Sequence, residues 1–220
     1  MPLTLYLHPL SSYCHKVLIA LYENGTPFAP HLVDLSNAEA SAAFKQLWPV
    51  GKFPVLRDEA ANRTIAESTV IIDYLGQHYP GAAKLIPDEP DAAFAVRALD
   101  RFFDLHVHTH LQKIIGDRLR PADKRDAYGV EQARAAMNVA LGLAEKDMAT
   151  RTWAAGDDFT LADCAAAPPL FYVDTALAPL AGTYPNLLAY LERMKQRPSY
   201  ARALDDAKPF LHWVPHEKST

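Results

Sequence analysis

The sequence predicts an α/β domain followed by an all-α helical bundle domain, and three observations predict it. The first eighty residues alternate β-type runs with helical patterns, in the order βαβ then ββα. Beyond about residue 91 the periodic stretches have helical spacing and nothing reads as a strand. Between them, Pro80-Gly81 through Pro87-Asp88-Glu89-Pro90 has no periodicity and reads as a linker. The expected domains are therefore residues 1–80 and 91–220, joined by 81–90.

Each element has its own signal. Leu3 to Leu7 is a short β-type run, followed by a turn at His8-Pro9 and a helix opening at Ser11-Ser12. Cys14, Val17, Leu18 and Leu21 then recur at helical spacing, and Asn24-Gly25-Thr26-Pro27 supplies the stop. A strand over Phe28–Leu35 and a helix from Ala38 to Leu47 follow. Pro54–Arg57 and Thr64–Ala66 read as two strands around the polar turn Asp58–Asn62. Ser68 opens a helix to Tyr79 with Val70, Ile71, Tyr74 and Leu75 as its apolar face. This order gives a mixed four-strand sheet with helices on its faces. Helical patterns then run over Asp91–Leu119, Asp126–Met148, Thr160–Ala176 and Pro185–Arg197, with a last short one from Ser199. No internal repeat or low-complexity segment is evident.

The bulk composition excludes several function classes. Half the residues are hydrophobic and 22% are charged, which supports a well-buried core and argues against disorder. A net charge of -4 argues against a nucleic-acid binder driven by phosphate contacts. No apolar run approaches the ~20 residues needed to cross a bilayer, so no membrane partner is expected. The opening Met-Pro-Leu-Thr-Leu lacks a basic n-region and an apolar cleavable core. Cys14 and Cys164 are too few for a disulfide framework. A cytoplasmic location is the simplest expectation.

Four local patterns stand out, three with chemistry and one structural. Ser11-Ser12-Tyr13-Cys14 is a C-x-x-C frame with serine in the place of the first cysteine, which removes a nucleophile and leaves a hydrogen-bond donor. It lies where a strand hands over to a helix, whose unpaired N–H groups and positive dipole end can hold an anion or a thiolate. In Val50-Gly51-Lys52-Phe53-Pro54-Val55-Leu56 a proline opens a strand after a loop. With a cis bond there, Phe53 would turn its backbone N–H and C=O outward, where an extended peptide could dock by strand addition. Ala66-Glu67-Ser68-Thr69 is a second strand-to-helix junction: Ser68 can cap the helix, its N–H suits a carboxylate, and Glu67 can pair with an α-ammonium group. That combination suits a free amino-acid head group. Finally, Thr160 and Asp163 in Asp158-Phe159-Thr160-Leu161-Ala162-Asp163 form an S/T-x-x-D capping pattern, read as structural.

In combination these motifs resemble the cytosolic glutathione transferases, specifically bacterial serine-type members with theta-, zeta- and tau-like features. The resemblance covers about residues 3 to 208. It implies a thioredoxin-like domain that binds glutathione as co-substrate and a helical domain that supplies the second substrate's pocket. It further implies that Phe53, beside Pro54, bonds the cysteinyl backbone, that Glu67 and Ser68 hold the γ-glutamyl end, and that Lys52 can reach a carboxylate of the tripeptide. Counted back from Lys16-Val17, Ser11 matches the catalytic serine of theta-, phi- and tau-like members and Ser12 that of zeta-like ones; Ser11 is preferred. Leu7 stands where tyrosine-type members place their tyrosine, and Tyr6 should point to the opposite face. The expected reaction is attack of the glutathione thiolate on a small hydrophobic electrophile. A free thiol has a pKa near 8.5, and lowering it by about 2 units takes roughly 2.7 kcal/mol. One serine hydroxyl and a helix terminus supply that order of magnitude. The family also implies a homodimer and no tightly bound cofactor.

Other readings stay open. A glutathione-dependent isomerase fits the Ser-Ser pair, a thiol transferase would rely on Cys14, and a non-catalytic partner-binding protein would have lost the chemistry. Cys14 shares a helical face with Val17 and Leu21 and reads as a buried, inert thiol; Cys164, in an alanine-rich helix, reads as core. Phe103, His106 and His110 are candidates for the second-substrate pocket, because the first long helix lines it in the family. His106 and His110 lie one turn apart, but no carboxylate or cysteine cluster completes a metal site, so no metal is expected.

Overall fold

A computed structural model describes residues 2–215, and their contacts divide the chain into two compact units. Among the described residues, the first comprises those up to Leu85 together with Pro198–Leu211; the second comprises Ile86–Arg197 and residues 212–215.

The first unit is built on a four-stranded sheet of β1 (Leu3–Leu7), β2 (Ala29–Leu32), β3 (Val55–Asp58) and β4 (Arg63–Ala66), in the order β2-β1-β3-β4. β1 pairs parallel to β2, β3 antiparallel to β1, and β4 antiparallel to β3. Leu3, Leu5 and Leu7 are buried while Thr4 and Tyr6 are partly exposed, the period of two that a strand covered chiefly on one face demands. Tyr6 therefore does face away from Leu7. β2 is shorter than the run from Phe28 to Leu35, and as an edge strand it tolerates Pro30, which has no N–H to donate.

Helix α1 (Ser12–Glu23) follows β1 and ends at Asn24 with Gly25 at φ +57°, where the absent Cβ permits a left-handed turn. Helix α2 (Ala38–Leu47) is capped by Asn37, whose Oδ1 accepts from the N–H groups of Glu39 and Ala40 at 3.0 Å. Phe44 of α2 packs with Val33 and Val55, joined by Tyr6, Trp48 and Phe53. Helix α3 (Ser68–His78) buries Ile71, Ile72, Tyr74 and Leu75. Ile71, Tyr74 and Leu75 are buried as expected, whereas Val70 is 53% exposed and Ile72 is buried in its place. Asp58, at the end of β3, accepts from Tyr74 Oη at 2.7 Å and Tyr79 Oη at 2.5 Å, which ties α3 to the sheet.

The second unit contains α4 (Pro90–Phe102), α5 (Thr109–Arg118), α6 (Ala127–Met148), α7 (Leu161–Tyr172) and α8 (Pro185–Lys195). The expected single helix over Asp91–Leu119 is interrupted by a π-helical segment at Phe103–His108, where the Thr109 N–H bonds the carbonyl of Asp104. A second π segment, Val173–Leu177, follows α7 with its internal Pro168-Pro169. Thr160 and Asp163 form a capping box at the start of α7.

The last helix, α9 (Pro198–Ala207), is counted with the first unit, whereas the sequence reading places it in the helical half. It packs on α1: Tyr22 Oη donates to Asp206 at 2.6 Å, Ser199 bonds Glu23, and Tyr200 meets the ring of His15 edge-on at 6.2 Å. A sequence pattern shows that a helix has an apolar stripe, and only packing shows which neighbour buries it.

Candidate functional site

Strand register assembles the site. Tyr6 pairs with Val55, and Val55 pairs with Ala66, so one cross-strand row joins the end of β1, the start of β3 and the end of β4. The segments that run on from this row are the turn into α1, the Lys52-Phe53-Pro54 loop and the Glu67-Ser68 junction into α3. Three stretches separated by tens of residues thus meet at one end of the sheet, because an antiparallel ladder reverses direction at each strand.

Ser11 caps α1. Its backbone is extended (φ −75°, ψ 116°), its Oγ accepts from the Cys14 N–H at 3.3 Å, and its own N–H bonds the His8 carbonyl at 2.9 Å. Ser11 is partly exposed, while Ser12, the first helical residue, is only 2% exposed. A hydroxyl that accepts through its lone pair still has its proton to give, so Ser11 can hold the helix and donate to a ligand at once. Cys14, one turn on, is fully buried, and desolvation pushes its thiol up to about 12. A thiol in that state is not a nucleophile at neutral pH.

The Phe53–Pro54 peptide bond is cis. Phe53 lies just before β3, and its backbone makes no hydrogen bond to another backbone group among the described residues. Its ring is held by Phe44 at 6.4 Å and by His8 at 6.2 Å. Lys52, beside it, is exposed.

Glu67 adopts φ 68°, ψ 117°, outside the regions that L-residues populate freely. Such a conformation costs of order 1–3 kcal/mol and persists only where surrounding structure enforces it. It occupies the cap position of α3, and its carbonyl receives the Ile71 N–H at 2.8 Å. The sequence reading makes Ser68 the cap; in the structure Ser68 is the first helical residue, and no side chain caps α3. The helix terminus therefore keeps its anion-binding character, with Ser68 buried and the Glu67 side chain exposed.

Three residues near this site were not singled out from sequence. Lys16 is fully buried in α1 and donates from Nζ to Thr69 Oγ1 at 2.9 Å, tying α1 to the first turn of α3. His8 places its ring against Phe53 and, at 5.3 Å, against Phe210. A partial signal for His8 was its place in the turn before the serines; nothing in the sequence ties Phe210 to it.

The second-substrate candidates lie in the helical unit. Phe103 is 2% exposed and packs at 5.3 Å against Phe102, beside a small cavity lined with Leu99, Ala144 and Met148. His106 is exposed, and the partly buried His110 has its pKa lowered by desolvation and by the nearby His106. Among the described residues no group of three or more His, Cys, Asp or Glu is placed to hold a metal, and no helix is long and apolar enough to cross a membrane.

Comparison with known proteins agrees with this geometry. Residues 5–83 match the family model for the glutathione S-transferase N-terminal domain, and residues 102–198 match that for its C-terminal domain. The chain is 27% identical over 207 residues to the glutathione S-transferase GstB of Escherichia coli strain K12, covering 92% of this chain and 97% of that one. It is 24% identical over 208 residues to a stringent starvation protein A homolog of Histophilus somni, covering 94% and 92%. A crystal structure of a glutathione S-transferase from Methylobacillus flagellatus with glutathione bound superposes with a TM-score of 0.84, at 27% identity over 91% of this chain and 98% of that chain. With its four-stranded mixed sheet, its helical second half and both domain models matched, the chain belongs to the glutathione S-transferase family.

Proposed function

We propose that the protein is a glutathione transferase in which Ser11 holds the glutathione sulfur as a thiolate. The observation that carries this reading is the Tyr6–Val55–Ala66 row, which gathers a serine-capped helix start, an open strand edge at Phe53 and an uncapped helix start at Glu67-Ser68. In this reading Phe53 bonds the cysteinyl backbone of the tripeptide. The α3 terminus with Ser68 takes the γ-glutamyl carboxylate, Glu67 its ammonium group, and Lys52 the glycyl carboxylate. Ser12, being buried, supports the turn rather than touching sulfur. The bound thiol gives its proton to solvent, and the thiolate's electron pair forms the new bond to an electrophilic carbon, from which a leaving group departs with its bonding pair or, at an activated double bond, the π pair shifts to the neighbouring atom and takes up a proton from solvent. The burial and high pKa of Cys14 count against a thiol transferase that relies on it.

The helical unit would supply the second-substrate pocket, with His106 and His110 better exposed than Phe103 to line it. Glutathione acts as co-substrate, the electrophile is small and hydrophobic, and the protein works as a cytoplasmic homodimer in detoxification. A second reading, a partner-binding protein without transfer activity, is favoured by the relative named for stringent starvation.

Calorimetry with glutathione, combined with ultraviolet titration of the bound thiolate, separates the two. The transferase reading expects binding at millimolar glutathione or below. It also expects a bound-thiol pKa lower than that of free glutathione, raised by about 1–2 units in Ser11→Ala and largely kept in Ser11→Thr. Absence of binding favours the partner-binding reading. Binding with a thiol pKa that neither Ser11→Ala nor Ser12→Ala changes removes the serine mechanism.

A further inference from the structure

We propose that Lys16 is a positioning residue for the glutathione site, and that its buried bond to Thr69 fixes the spacing between the sulfur end and the γ-glutamyl end. This rests on the transferase reading of the site and names a residue which that reading does not use. Lys16 is the fifth residue of α1, and Thr69 is the second of α3. Lys16 Nζ donates to Thr69 Oγ1 at 2.9 Å, across 53 positions of sequence, so the openings of the two helices are joined directly. Ser11 caps the first of these helices, and Ser68 begins the second, which no side chain caps.

Packing alone does not account for a lysine at this position. Lys16 is 0% exposed, and lysine is almost never enclosed unless its head group is paired. Cys14, Val17 and Leu18 around it on α1 are buried apolar residues, and a methionine would fill similar space with no polar head to satisfy. The apolar contact between α1 and α3 is non-directional and leaves small shifts along the helices cheap. A hydrogen bond has a preferred distance and angle, and so fixes the register. With a rise of about 1.5 Å per residue, Lys16 stands about 7 Å along α1 from Ser11, while Thr69 follows Ser68 directly. The tether therefore lies close to both ends that the ligand has to bridge.

Glutathione bound in the proposed manner touches both helix starts at once, with its sulfur at Ser11 and its γ-glutamyl carboxylate at the N–H groups of α3. A ligand with two points of contact gains over its fragments only as far as the two sites stand at the separation it spans. Holding that separation before the ligand arrives removes the cost of ordering it on binding. Lys16 need not touch the ligand in this role: it acts through Thr69 and the two helices.

The test uses the whole protein with glutathione and two of its fragments: cysteinylglycine for the Ser11 end and γ-glutamylmethylamide for the α3 end. Lys16→Met removes the donor and keeps the apolar stem; Thr69→Val removes the acceptor from the other side; Thr69→Ser keeps a hydroxyl. Calorimetry should show glutathione bound about tenfold more weakly by Lys16→Met and by Thr69→Val. Thr69→Ser should stay within about threefold of the parent. Each fragment, followed by backbone amide shifts at roughly tens of millimolar, should bind every variant within about twofold of the parent. A general loosening of the site would weaken fragments and glutathione alike. Unchanged glutathione affinity in Lys16→Met or Thr69→Val overturns the role of Lys16. So does equal weakening of glutathione and fragments, a loss in Thr69→Ser as large as in Thr69→Val, or fragments that leave the parent's amide shifts unmoved. In each of these cases the Ser11 chemistry still stands on its own thiol titration. If the parent protein binds no glutathione, both readings fall.

Discussion

Ser11 and Cys14 sit one helical turn apart, joined by a hydrogen bond from the Cys14 N–H to Ser11 Oγ, yet their environments set them opposite tasks. Ser11 keeps one side open to ligand, whereas Cys14 is fully enclosed and its thiol is raised to about 12. At pH 8 a group with that pKa is ionised to only about one part in ten thousand. Iodoacetamide should therefore leave Cys14 unlabelled in the folded protein at pH 8 and label it once the chain is unfolded in denaturant. Mass spectrometry of the peptide containing Cys14 checks this. Turnover of a Cys14→Ala protein should stay within about threefold of the parent, and rapid labelling in the folded state would return the thiol-transferase reading. The sequence shows Cys14 on an apolar face, but its exposure depends on what covers that face.

Among the elements, α7 shows how a buried carboxylate can hold a helix start. Asp163 is fully buried and accepts from the N–H groups of Ala154 and Thr160 at 2.8 Å, from Thr160 Oγ1 at 3.2 Å and from Tyr190 Oη at 2.5 Å. Burial raises its pKa, and these donors oppose that rise. Removing the acceptor strands several buried donors at once, each worth about 1–3 kcal/mol. Asp163→Ala should thus cost at least about 3 kcal/mol, read as a lower denaturant midpoint, and Asp163→Asn should cost less because one acceptor oxygen remains. A loss below about 1 kcal/mol for Asp163→Ala would show that the cap is dispensable. The capping box is legible from sequence because it is local. The π segment at Phe103–His108 is not, because apolar spacing barely changes when a single turn takes one extra residue.

Across the first unit, α1 is clamped between its own preceding turn and the distant α9. His15 Nε2 donates to the Pro9 carbonyl at 2.6 Å, and its ring packs on Tyr200. Full burial lowers its pKa to about 4, with the Pro9 bond and the charge of Asp206 opposing part of that shift. The unfolded chain, with an ordinary value of 6.5, binds the proton more readily, so stability falls as pH drops from about 6.5 and levels off below about 4. The full effect is about 3 kcal/mol. His8 and His110, also lowered, add in the same direction. Asp58, whose pKa is lowered by its tyrosine and backbone donors against desolvation, loses its contribution at lower pH, below the unfolded value of 3.8. Denaturant titrations from pH 7.5 to 4 should show this decline, and His15→Gln should flatten it while lowering stability at pH 7. An unchanged slope in His15→Gln would assign the decline to other groups.

Local sequence specifies the order of elements, the helix caps at Ser11 and Thr160, the proline at the head of β3, and the combination of motifs that resembles the glutathione transferases. These are local signals, carried by residues within a few positions of one another and by the period of apolar side chains. Long-range pairing and packing set the rest. Pairing register brought residues 8–12, 52–54 and 67–68 to one end of the sheet, and the strained backbone of Glu67 displaced Ser68 from the cap. Packing left Ser11 open where it closed over Ser12 and Cys14, buried Ile72 of α3 while Val70 faces out, and placed α9 and Phe210 in the first unit. Each of these depends on which distant surface excludes water from a residue, and chain-local periodicity carries no record of that partner.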